Sequence, residues 1–207
     1  MLFDISPPIS AALAVWPGDT PVRREVLEDM RAGGIVTLST LHGTVHAGAH
    51  ADAPNHYVED GEGIDQVAVE RYLGECQVIR VDVPRGAAIG PADVKTPLNA
   101  ARVLFATGTR PDPATFNRDF AALSVELVDC LQAAGVRLVG IDTPSVDLFV
   151  DKALPVHRRL GELGILILEG LDLTQVPAGK YELIALPLRL MDFDASPVRA
   201  VLRSLAR

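Results

Sequence analysis

Between His46 and His56 the chain reads His46-Ala47-Gly48-Ala49-His50-Ala51-Asp52-Ala53-Pro54-Asn55-His56, with three imidazoles and a carboxylate in one alternating register and mostly small residues between them. Imidazole nitrogen together with carboxylate oxygen suits zinc first and manganese, iron or cobalt next, whereas an all-oxygen set would suit magnesium or calcium. The sequence holds 5 histidines, and His42, His46, His50 and His56 all fall in this neighbourhood. Such concentration points to a metal site.

Parity adds to the count. His46, Gly48, His50, Asp52, Pro54 and His56 share one register, and Val45, Ala47, Ala49, Ala51 and Ala53 share the other. In extended chain, alternate side chains face opposite ways, so the polar set is expected to face a cavity while the alanines pack against protein. A straight strand fails, because at about 3.3 Å per residue His46 and Asp52 would stand roughly 20 Å apart. The segment has to bend. Gly48 is the expected place, since glycine accepts backbone angles closed to other residues, and Pro54 stops a helix or central strand. The competing reading is a helical stripe of His42, His46 and His50. It would use poor helix formers at Gly43, Thr44, Val45 and Gly48, and it lacks the glutamate that follows the first histidine in zinc proteases. His42 by itself is assigned a structural role.

A four-ligand metal site needs partners from elsewhere in the chain. His157 is the histidine outside the cluster, after Pro155 and ahead of a helical turn expected at Arg158-Arg159-Leu160. Glu169 ends the apolar run Ile165-Leu166-Ile167-Leu168 and precedes Gly170. A carboxylate in that position is costly to bury unless it is paired or bound to a cation. Both residues become candidates for a second metal.

The elements that must position these groups read as one α/β domain over residues 1–207 with a mixed sheet. Short apolar or alternating runs at 76–83, 103–107, 136–142, 165–168 and 181–188 are bounded by Gly, Pro or Asp, which is strand behaviour. Ser124 is a suitable N-cap for a helix with an apolar face of Leu127, Val128, Leu131 and Ala134, closed by Gly135. Residues 108–119, with Pro111 and Pro113, read as a surface loop. At 207 residues the chain suits a single domain with a substantial core. A net charge of -8 argues against nucleic-acid or anionic-membrane partners. No apolar run is long enough to cross a bilayer, and the first residues lack the pattern of a signal peptide, so a cytoplasmic location is expected. Cys76 and Cys130, the 2 cysteines, sit in apolar-looking elements and are expected to fill core space.

The motif His46-x-Gly48-x-His50-x-Asp52-x-Pro54-x-His56 resembles the signature of the cyclase-like metal hydrolases. Further stretches make the chain similar to the bacterial kynurenine formamidase (arylformamidase) branch of that superfamily. These are Trp16-Pro17-Gly18-Asp19, the run from Gly140 through Asp142-Thr143-Pro144-Ser145 to Asp147, His157 through Glu169-Gly170-Leu171-Asp172-Leu173, and Tyr181-Glu182-Leu183-Ile184-Ala185-Leu186-Pro187-Leu188. The histidine signature alone is specific to the superfamily; the combination points to the branch. Ala49 stands where many members have threonine and Tyr57 where many have phenylalanine, and neither departure removes a ligand.

The resemblance implies a layered β/β/α fold of the swivelling-domain type that pairs as a homodimer. It implies two zinc ions per subunit, with His46, His50 and Asp52 on one, His157 on the other, and Asp52 and Glu169 shared. His56 would be the acid/base residue, and Trp16 would contact the aromatic ring of the substrate. The implied reaction is hydrolysis of N-formyl-L-kynurenine to L-kynurenine and formate in tryptophan degradation. The chemistry agrees: formanilide hydrolysis needs a nucleophile stronger than neutral water, which metal-activated hydroxide provides, and a proton for the departing nitrogen. No Gly-x-Ser-x-Gly elbow is present to support a serine hydrolase. Two alternatives remain: a hydrolase of isatin or another cyclic amide built from the same parts, and a non-catalytic metal-binding module. Phe149 and Phe193 are possible further walls of a pocket. Asp142, Thr143 and Ser145 either face a ligand or form turn hydrogen bonds. Residues 59–66, rich in acid and glycine, are the candidate loop to close over substrate.

Overall fold

A computed structural model describes residues 1–205 of the protein. In chain order the strands are β1 (Leu2–Asp4), β2 (Arg23–Glu28), β3 (Leu38–His42), β4 (His50–Asp52), β5 (Leu73–Arg80), β6 (Ala88–Ile89), β7 (Arg102–Ala106), β8 (Ala122–Leu123), β9 (Leu138–Ile141), β10 (Leu166–Glu169), β11 (Gly179–Ile184), β12 (Ala195–Pro197) and β13 (Val201–Ser204). Two α-helices, α1 (Val125–Ala133) and α2 (Pro155–Glu162), and four short 3-10 turns complete the regular structure among the described residues. Neither α-helix is long and apolar enough to cross a membrane.

Nine strands form one mixed sheet in the order β1-β13-β11-β5-β7-β9-β10-β4-β12. Its centre, β5-β7-β9-β10, is parallel and its flanks are antiparallel. Parallel strands need both faces covered, and two apolar clusters do this. On one side Phe105, Val139, Ile141 and Ile167 pack against Leu127, Leu131 and Leu160 of the helices. On the other, residues from both ends of the sheet, Ile5, Ala51, Leu183 and Leu202, meet Leu104 and Leu168. The curled sheet therefore supplies two β layers and the helices a third, in agreement with the layered expectation.

Ser124 caps α1, its hydroxyl accepting from Leu127 N at 3.2 Å, and Leu127, Val128 and Leu131 are buried beneath the helix. Cys130 lies on the flank of that stripe and is exposed, contrary to expectation, while Cys76 is buried; at 100° per residue, position 130 turns away from the face centred between 127 and 131. The helix expected at Arg158 begins earlier, at Pro155, so His157 lies inside α2. Proline suits a first helical turn because its missing N–H would be unpaired there in any case. β11 ends at Ile184, short of the expected 188, and Leu186 and Leu188 are exposed beyond it.

Candidate metal centre and substrate cavity

Cross-strand register builds half of the centre. His50 of β4 pairs with Glu169 of β10, and Asp52 with Ile167, so the two carboxylates and the imidazole emerge on the helical face, whereas Ala51 and Leu168 enter the opposite core. Ala49, Ala51 and Ala53 are buried in that core, as their parity requires. The turn ahead of β4 brings His46 over the same face, pivoting at Gly48 with φ +67°. Gly170 makes room for this turn, since a Cβ there would lie 2.1 Å from the Gly48 carbonyl oxygen. The first turn of α2 delivers His157.

Five side chains converge. His46 Nδ1 lies 3.1 Å from Asp52 Oδ1, and His50 Nε2 lies 3.5 Å from Asp52 Oδ1 and 3.4 Å from Glu169 Oε2. His157 Nε2 is 3.4 Å from both Asp52 Oδ2 and Glu169 Oε1. Ligand-type atoms of His46, Asp52 and His56 fall within 4.8 Å of one another, and so do those of His50, Asp52 and Glu169. Asp52 belongs to both triads.

The inner atoms of this cluster fit a cation. His50 Nε2 and both oxygens of Asp52 are buried without a hydrogen-bond partner among the described residues, a costly condition unless something else satisfies them. The outer nitrogens, by contrast, are all engaged. His50 Nδ1 donates to the Gly48 carbonyl at 3.0 Å, His157 Nδ1 donates to Asp147 Oδ2 at 2.7 Å, and His46 Nε2 lies 3.0 Å from Asp194 Oδ2. A carbonyl only accepts, so His50 carries a proton on Nδ1, and Nε2 is the ring nitrogen turned to the cluster. Metal-binding histidines are oriented in this way by partners on the far ring nitrogen. Asp147 is itself fixed by the N–H groups of Val156 and His157, at 2.9 and 3.0 Å, and Glu169 Oε1 accepts from Val146 N at 2.7 Å.

Without a cation, protons and charges compensate one another here. Burial would raise the Asp52 carboxyl, but His157 and His46 hold it well below the usual carboxylate range. Burial and the nearby charge of Asp52 also push Glu169 up, yet His157 and His50 leave it lowered. Burial pulls His46 down, and contacts with Asp52 and Asp194 outweigh this and lift it to about 9. His157 is likewise raised well above its ordinary value, against burial, by Asp147, Asp52 and Glu169. The metal-free protein therefore holds protons that an incoming cation must displace. His46 contributes stability that is complete below its unfolded value near 6.5 and is lost as pH rises through about 9. Metal affinity should change in the opposite sense, rising by about tenfold per pH unit for each displaced proton, with the His46 contribution complete once pH passes about 9. Calorimetric titration of chelated protein with zinc in buffers of different ionisation heat measures the protons released; no release at pH 7.5 would contradict this account.

A cavity of about 500 Å³ opens beside the cluster, lined in part by Trp16, His46, His56, Arg110, Phe116 and Ser145. Trp16 packs on Phe149, with ring centroids 5.1 Å apart, and meets the edges of Phe116 and Phe120. Its segment is tied down where Ala14 N donates to Pro113 O at 2.9 Å. His56, on a 3-10 turn that starts at Pro54, reaches the rim with its side chain 31% exposed and the rest of its ring tilted against His46, centroids 4.4 Å apart.

The family model described as "Putative cyclase" matches residues 3–148. The chain belongs to the cyclase family. Among solved structures, this family member resembles a protein described as a potential metal-dependent hydrolase with cyclase activity, at 27% identity and a TM-score of 0.85, covering 98% of this chain and 96% of that one. It also resembles a predicted metal-dependent hydrolase from Bacillus stearothermophilus, at 28% identity and a TM-score of 0.83, with 98% and 97% covered. A likeness of fold extends to isatin hydrolase A from Labrenzia aggregata, at 21% identity and a TM-score of 0.82, with 98% and 93% covered.

In this cyclase-family chain the residues singled out from sequence as metal ligands, His46, His50, Asp52, His157 and Glu169, come together, with His56 and Trp16 on the adjoining cavity. Residues 59–66 do not line the cavity, whose wall comes from 14–19 and from Arg110 and Phe116. Phe149 stands behind Trp16, and Phe193 is exposed elsewhere. Asp142 accepts from Thr107 and Gly108, which ties it to the end of the neighbouring strand β7 and not into a turn of its own, whereas Thr143 donates to Ser145 O within its turn and Ser145 lines the cavity. His42 pairs with Glu25 at 2.6 Å on the β2–β3 hairpin, away from the cluster. Sequence reasoning passed over Asp147, Asp194, Arg110 and Phe116. For Asp147 a signal existed, because it closes the Gly140–Asp147 stretch that resembles the family.

Proposed function

We propose that the protein is a metal-dependent arylformamidase that hydrolyses N-formyl-L-kynurenine to L-kynurenine and formate, with zinc as its metal. The observation that carries this reading is the set of orphaned inner atoms on His50 and Asp52, facing inward from anchored histidines beside an aromatic-walled cavity. His46, His50, Asp52, His157 and Glu169 would hold a pair of cations. When bound, such cations acidify water towards neutral pH and polarise an amide carbonyl.

The remaining work falls to the chain's own side chains. His56 reaches the cavity from its rim, and burial holds its imidazole below the ordinary value, so its neutral form predominates at neutral pH. In that form it accepts a proton as the nucleophile attacks and returns it to the leaving aniline nitrogen. Asp194 Oδ2, hydrogen-bonded to His46 Nε2, also lies 3.5 Å from His56 Nδ1 and places a carboxylate beside the ring. Trp16 and Phe116 offer faces and edges to the aryl ring, and the covering segment at 14–19 limits water.

Metal analysis of the purified protein, beside parallel assays on N-formylkynurenine and isatin, tests this reading. The expected result is one to two equivalents of zinc per chain, about two when fully loaded, and turnover of the open-chain formamide in preference to the closed ring. Turnover of isatin alone would replace the substrate and keep the hydrolase. A fully metallated protein inactive on both would favour a metal-binding module.

A further inference from the structure

Arg110 lines the cavity and takes no part in the steps above. Its guanidinium passes over Gly170, with Nη1 3.5 Å from where a Cβ on that glycine would stand, and so lies next to the Glu169 end of the metal cluster. Among the described residues it makes one hydrogen bond, from Nη2 to the Ala14 carbonyl at 3.5 Å. Nε is buried with no hydrogen-bond partner among them. Asp142 and Asp112 are its charged neighbours at longer range, but both are occupied. Asp142 accepts from Thr107 and Gly108, and Asp112 from Ala114 and Thr115. The acids of the cavity lining are Glu169, committed to the histidines, and Asp19 at the exposed mouth.

A guanidinium has five N–H donors in a planar fork that matches a carboxylate, and it keeps its charge at neutral pH. Removing it from water without an anionic partner is costly. Holding Ala14 would explain one long hydrogen bond from Nη2, but not a cavity-lining guanidinium whose Nη1 lies over Gly170 without a hydrogen bond and whose Nε is buried unpartnered. We propose that Arg110 is a specificity-determining residue that binds the carboxylate of a substrate carrying an acidic side arm on an aromatic amide. This rests on the arylformamidase reading, in which N-formylkynurenine supplies such an arm; isatin, a closed neutral ring, does not.

The test separates recognition from turnover. The probes are 4-oxo-4-phenylbutanoate, an aryl ketone with a carboxylate arm, and its uncharged amide, titrated by calorimetry into the protein as purified. Wild type is expected to bind the acid at least about 30-fold more tightly than the amide. Arg110→Met and Arg110→Gln should bind the two alike, and Arg110→Lys should fall between, because it keeps the charge and loses the fork. Thermal melting of each variant reports whether the fold survives, and the conservative lysine variant keeps the comparison available if the others do not fold. Equal wild-type affinities, or no binding of the acid, would overturn the proposal. So would an acid preference that persists in Arg110→Met, since the carboxylate would then sit on the cation site. A wild type that prefers the acid but leaves N-formylkynurenine intact would sink the proposed reaction and keep the anchor; hydrolysis without acid preference would do the reverse.

Discussion

Replacing His56 with alanine is expected to leave the metal content of the protein unchanged while turnover falls by roughly 100- to 10,000-fold, the range that general acid–base catalysis contributes. The geometry makes this a sharp test, because His56 stands in two relationships at once. Its ring nitrogen lies close enough to His46 and Asp52 to serve as a ligand, yet the residue sits at the rim, lines the cavity, and has Nδ1 3.5 Å from Asp194 Oδ2. The histidines proposed as ligands differ from it in kind. His50 and His157 are each only 3% exposed, and each donates through Nδ1 to a fixed oxygen while Nε2 faces the cluster. A rim imidazole can meet substrate and exchange protons with it. Metal per chain measured by atomic emission, beside kcat for the same preparation, separates the roles: loss of metal in Arg- and Asp-intact His56→Ala protein would make His56 a ligand and leave the proton carrier unassigned.

The opposite signature is expected at Asp52. This carboxylate is completely buried, faces His46, His50 and His157, and contributes to both triads. Asp52→Ala should emerge with little or no bound metal and with activity lost in proportion. The fall in affinity should exceed the roughly 10- to 100-fold typical of removing a hydrogen-bond partner outside the ligand shell. A second readout follows from the metal-free state. The Asp52 carboxylate is the leading influence that holds the His46 imidazole up near 9 against burial, so the His46 titration followed by NMR in chelated protein should move down in the variant. Full metal content in Asp52→Ala would mean that the cations lie elsewhere.

The sequence by itself determined the chemistry-bearing segment and its local shape. Alternation from His46 to His56 is a period-two pattern, and its consequence, alanines into the core with His50 and Asp52 on the other face of β4, is enforced by the pleat whatever surrounds it. The bend at Gly48 was legible for a similar reason, because a positive φ is open to glycine and closed to most residues. Ser124 as the cap of α1 is another local matter. The two- and three-residue strands β6, β8 and β12 were not legible, since so short a run carries no periodicity. Cys130 was misplaced because an apolar helix flank and its buried face differ by one residue step.

Only the tertiary structure decided which distant groups complete the site. Asp147, Asp194 and Arg110 lie in connecting segments where a lone acid or base ordinarily meets water. Their roles arise because α2, β10 and the turn at Gly48 meet at one end of a curled sheet. There Asp147 is 1% exposed behind His157, and the Arg110 Nε is cut off from solvent and partner alike. Burial changes what a charge must do, and burial is set by contacts between segments far apart in the chain.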